Sequence, residues 1–125
     1  MCLATMLCLP ACADRDERLA QHRKALQSLA STTRAVSAGW LAGHLSGTFT
    51  ETALDQTLHL VEQERATVAS TPDTLIDPRG ADLAAEADRL ERILAQMIGA
   101  VRTADGAAVR EHMASIASNA GSHRP

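Results

Sequence analysis

Between residues 83 and 101 the chain places an apolar side chain every three or four residues: Leu83, Ala87, Leu90, Leu94, Met97 and Val101. A period of 3.6 puts all six on one side of an α-helix, and a stripe of that length must be buried against other elements. In a strand the same spacing would scatter them over both faces. The step recurs in Leu19, His22, Leu26, Leu29, Thr33, Val36 and Trp40, which predicts a first helix from about Asp14 to Ser46. Asp14, Asp16 and Glu17 would then occupy its first turn, where the helix dipole favours negative charge. Leu54, Leu58, Val61 and Val68 predict a second helix that ends near Ser70. Thr48 with Glu51 three residues on reads as the capping box that opens it.

Residues 71–80, TPDTLIDPRG, are expected to be a loop, because two prolines and a glycine interrupt any continuous helix. Leu75 and Ile76 would plug the end of the fold. Asp77-Pro78 reads as N-cap and first position of a third helix, the one with the strong stripe. Asp105-Gly106 interrupts it, and Val109, Met113 and Ile116 face inward from a short fourth helix that Asn119 and Gly121 close. Four amphipathic helices with short connections define the expected fold: all-α, an antiparallel up-and-down helical bundle over residues 13–121, with 122–125 as a loose tail. Composition agrees. Only 2% of residues are aromatic, and Leu, Ala, Val and Ile suit helix packing better than a sandwich of strands.

The formal net charge is −3 and no basic cluster stands out, so no nucleic-acid partner is expected. Cys2, Cys8 and Cys12 all lie within the first twelve residues, unlike the cysteines of a disulfide framework, which are spread through the fold. Cys8 and Cys12 have no complementary ligand pair elsewhere for a structural zinc.

Residues 1–12, MCLATMLCLPAC, carry no charge, and the composition changes abruptly at Asp14. The run is too short to span a bilayer, which takes about 20 residues, and has the length of a signal-peptide apolar region. Leu9-Pro10-Ala11-Cys12 resembles the lipobox of bacterial lipoproteins, although Pro10 stands where Ala or Ser is commoner and no basic residues precede the apolar run. The resemblance is confined to this segment. It implies cleavage after Ala11, a diacylglycerol on the Cys12 thiol, and a place in the bacterial envelope as a periplasmic or outer-membrane lipoprotein held to the membrane by the lipid anchor only. A plain cleaved signal and an apolar extension docked on the bundle are the alternatives for the same residues.

Two patterns in the helical region are candidates for binding. Asp55, His59 and Glu62 are spaced i, i+4 and i+7 on one side of the second helix, as three ligands of a divalent ion would be. They border the apolar face of Leu54, Leu58 and Val61, so a solvated boundary is the plainer expectation. Ser31, Ala35, Gly39, Gly43 and Gly47 recur every four residues, a spacing that suits close approach of another helix, from this chain or a second copy. No nucleophile elbow, phosphate-cradling glycine loop or dinucleotide fingerprint is present, so neither an enzymatic activity nor a cofactor is expected. The reading is an envelope-associated bundle that binds or scaffolds, with a protein partner or self-association. The alternative is a small-ligand or metal-sensing module with His44, His59 or His112 lining an interhelical pocket.

Overall fold

A computed structural model describes residues 9–121, with side chains for residues 13–118. Among the described residues there are five helices: α1 (Leu9–Leu41), α2 (Gly47–Ser70), α3 (Pro72–Ile76), α4 (Pro78–Arg102) and α5 (Gly106–Gly121). The four long ones are those expected. The fifth is a single turn, α3, within the segment expected to be a loop; Pro72 at its first position and Pro78 beyond its end confine it to that turn. Among the described residues there are no strands.

α4 lies between the other elements. It packs most extensively on α2 and also meets α1, α3 and α5, while α1 touches both α2 and α5. The long helices therefore form a ring in the order α1–α2–α4–α5, each antiparallel to the next because the connections are short. The stripe seen in the sequence is what α4 buries: Leu83, Ala87, Leu90, Leu94, Met97 and Val101, joined by Ile93, Ile98 and Ala100. α5 has 16 residues against 25 in α4, so it reaches only part of the bundle. Where it is present, Val109 and Ile116 complete a four-helix core with Leu54, Val61, Leu94 and Met97. Beyond it, Leu19, Leu26, Val68, Leu83 and Ala87 form a separate core from three helices.

Buried hydroxyls sit in the interior of α1 and α2. Thr33, Ser37, Thr50 and Thr57 are buried, and each donates to the carbonyl four residues back in its own helix: Leu29, Thr33, Ser46 and Ala53, at 2.7–2.8 Å. Such a bond lets a polar side chain be buried with no partner in the neighbouring helix.

α1 begins and ends five residues earlier than the sequence suggests, and both differences have local causes. At the start, Pro10 fits the first helical turn, where its missing N–H loses no bond, so the helix reaches back past the acidic cluster to Leu9. At the end, Gly43 takes a left-handed φ of 78°. His44 N–H donates to the Gly39 carbonyl at 2.9 Å and Gly43 N–H to that of Trp40 at 3.0 Å, the paired bonds of a Schellman cap. The chain turns, and Ser46 rather than Thr48 caps α2, its Oγ accepting from Phe49 N–H at 3.2 Å.

The glycine stripe is therefore not a helix crossing within this chain. A Cβ on Gly43 would meet nothing within 4 Å, one on Gly39 would meet the Leu45 side chain at 2.8 Å, and one on Gly47 would lie 4.0 Å from Trp40 Nε1. All three shape the α1–α2 turn. The close approach lies at Gly80, where a Cβ would fall 1.9 Å from the backbone oxygen of Thr74. α4 ends in the same cap as α1, with Asp105 N–H to Ala100 O at 2.8 Å and Ala104 N–H to Val101 O at 3.0 Å, but the left-handed residue there is Ala104, φ 55°.

Two predictions follow from the packing and the caps. Leu94→Ala, at a fully buried position, should cost about 2–5 kcal/mol in denaturant unfolding, whereas exposed Arg92→Ala should change stability by less than about 0.5 kcal/mol. The two caps should respond in opposite directions, since a side chain in the left-handed region costs about 1–2 kcal/mol. Gly43→Ala should lower the melting temperature and Ala104→Gly should raise it. The same direction at both positions would contradict the cap assignment.

Candidate functional site

The features that bear on function gather at the end of the bundle formed by the start of α1, by α3 and by the start of α4. Asp73 of α3 lies 3.6 Å from Arg15 Nε and 3.5 Å from Arg18 Nε, which ties α3 to α1. Arg79 reaches Asp16 at 2.7 Å and Asp77 at 2.8 Å, linking α4 to the same part of α1. The Thr74 hydroxyl turns inward and donates to the carbonyls of Val68 and Thr71. Gly80 lets the backbone of α4 lie directly on Thr74. Each residue of a helix turns by about 100°, so with Thr74 buried the next two side chains must point away. Leu75 and Ile76 are indeed 72% and 70% exposed, not the plug expected from the sequence.

Asp77 caps α4, accepting from Arg79 N–H at 3.0 Å. The hydrogen bond from the Arg79 side chain, followed by the one from its backbone N–H, holds the Asp77 carboxyl down at about 2, and the pair raises Arg79 in return. Cys12 belongs to the first turns of α1, but its side chain lies outside the described residues.

The histidines do not converge. His22 Nδ1 meets Glu64 Oε1 at 2.5 Å, a half-buried link between α1 and α2. His44, a candidate for lining an interhelical pocket, is exposed in the turn that follows the helix, because α1 has already ended at Leu41. His59 is 73% exposed and lies 3.3 Å from Glu62 on its own helix. Asp55, His59 and Glu62 do not make a metal-binding group: among the described residues no three His, Cys, Asp or Glu side chains are placed to hold an ion. Asp55 and His59 are exposed and Glu62 is half-buried, all on one helix.

An open polar depression between α2 and α4 is lined by Arg65, Asp88, Glu91 and Arg92. Arg65 lies 3.2 Å from Asp88 and 3.1 Å from Glu91, so it is paired with both carboxylates of the depression. None of the histidines among the described residues lines it. Among the described residues no helix is long and apolar enough to cross a membrane. The class these features define is an all-α helical bundle with an ion-paired, partly apolar end. No protein-family model, curated protein or solved structure matches the chain.

The Asp77–Arg79 pair has a measurable consequence in acid. Its lowered folded-state value means that ionised Asp77 stabilises the fold above its ordinary value of 3.8, and that this contribution is lost as pH falls toward 2. Asp77→Asn keeps a capping oxygen but not the charge. Its melting temperature should lie below wild type at pH 6, and the gap should close between pH 4 and about 2. A gap that stayed constant with pH would show that the charge is not responsible.

Proposed function

We propose that the protein is an envelope-associated helical bundle, tethered to a membrane by a lipid on Cys12, that acts as a binding or scaffolding module for a protein partner or a second copy. The carrying observation is the uncharged apolar run that ends in Leu9-Pro10-Ala11-Cys12 and gives way at Asp14 to a charged amphipathic helix. A small residue before the cysteine suits cleavage there, and the Cys12 thiol is the acceptor for diacylglycerol. The described region lends support of a second kind. Five of its arginines, at positions 15, 18, 65, 79 and 102, are engaged by carboxylates, and the formal net charge is −3, which suits a solvated support better than a phosphate-binding surface. With Ala13 rather than an aspartate after the cysteine, resemblance to sorted lipoproteins favours the outer membrane.

The tether is tested directly by expressing the full chain in a Gram-negative host with labelled palmitate. Wild type should incorporate the label and fractionate with membranes, and Cys12→Ser should lose both. Label that persists in Cys12→Ser, or a wild-type protein found unlabelled in the cytoplasm, would refute the proposal.

A further inference from the structure

We propose that the α3 end of the bundle is a lipid-facing surface, with Leu75 and Ile76 entering the acyl region of the bilayer beside the Cys12 anchor. The inference rests on the tether proposed above and adds the orientation of the protein and the residues that meet lipid.

Three observations carry it. First, Leu75 and Ile76 are adjacent large aliphatic side chains, 72% and 70% exposed, whereas the other exposed large apolar residues, Phe49 and Leu60, stand singly on α2. Second, α3 is fastened to the part of α1 nearest Cys12. Asp73 pairs with Arg15 and Arg18, and Arg15 is three residues, about 4.5 Å of helical rise, beyond Cys12. Third, α1 is helical from Leu9 onward, so no flexible linker separates Cys12 from the folded domain. A lipid on Cys12 would hold this end of the bundle at the membrane surface rather than on a tether of variable length.

The surrounding charges are compatible with that placement. Arg15 and Arg18 share Asp73, and Arg79 is held by Asp16 and Asp77, so each of these cations has a carboxylate within 4 Å as the end approaches lipid. The attraction is therefore apolar, and it should operate on an uncharged phosphatidylcholine surface and be insensitive to salt.

The chain contains a single tryptophan, Trp40, about 42 Å along α1 from Cys12, which provides an internal reference. Full-length protein matured in its host would be purified and reconstituted into phosphatidylcholine vesicles with brominated acyl chains, which quench indole fluorescence on contact. Leu75→Trp and, separately, Ile76→Trp should be quenched and blue-shifted relative to unbrominated vesicles, while the Trp40 emission of wild type stays unchanged. Both positions are exposed, so the fold should survive, as far-UV circular dichroism would verify. Cys12→Ser combined with Leu75→Trp should lose most of the quenching.

An acylated protein whose added indoles remain unquenched would overturn the inference and leave the tether intact. Indoles shielded from water without any vesicle would mean that the patch is covered by protein, from an uncleaved N-terminal segment or a second copy, and would overturn it too. Quenching in a protein that carries no palmitate label would remove the tether while keeping the lipid-facing patch.

Discussion

Burial of one face of α4 is the constraint on which the other elements depend. Leu83, Leu90, Leu94, Met97 and Val101 cannot be left in water, and no single partner helix covers all of them. α2 takes the largest share, α1 and α5 close the sides, and α3 sits over the N-terminal turn. The two cores follow from helix length. α5 is shorter than α4, so one end is a four-helix bundle and the other a three-helix bundle finished by the α3 turn. The transfer of these aliphatic side chains out of water is the main favourable term, worth about 1.5–3 kcal/mol for each fully buried Leu, Ile or Met.

The helix ends convert that burial into a defined topology. α1 and α4 stop at left-handed residues with the same pair of backbone bonds, one at Gly43 and the other at Ala104. Side-chain caps then start the next helices: Ser46 for α2, Asp77 for α4, and Asp105, whose carboxylate accepts from Ala108 N–H, for α5. Each turn reverses the chain within a few residues, which leaves antiparallel packing as the available arrangement.

The functional reading depends on the coincidence of features at one end. The last residues of the uncharged segment, 9–12, the fastening of α3 to α1, and two exposed aliphatic side chains all lie where α1 begins. The opposite end carries Trp40, the Gly43 turn and the start of α5, and the depression between α2 and α4 is balanced by its own ion pairs. A helical bundle alone does not specify an activity, so the reading rests on the segment that precedes it.

Helices and their inward faces were legible in the sequence because both are local properties. The 3.6-residue period marked Leu26, Leu54, Leu94 and Val109 as core, and Asp77-Pro78 announced the start of α4. Residues whose role depends on another element were not legible. Thr50 and Thr57 look like surface hydroxyls until neighbouring helices bury them, and Gly80 looks like a helix breaker until Thr74 is seen against it. Gly39, Gly43 and Gly47 share a spacing that suits a helix crossing, yet one left-handed φ turns them into a chain reversal. Leu75 and Ile76 are apolar in sequence and exposed in space, because the single turn that holds them is oriented by Thr74 and Asp73 rather than by hydropathy. The sequence by itself determined which segments are helical and which side of each is apolar, since period and capping act within a few residues. The tertiary structure alone decided which small residues are buried and which apolar ones face outward, since both depend on what a distant segment of the chain covers.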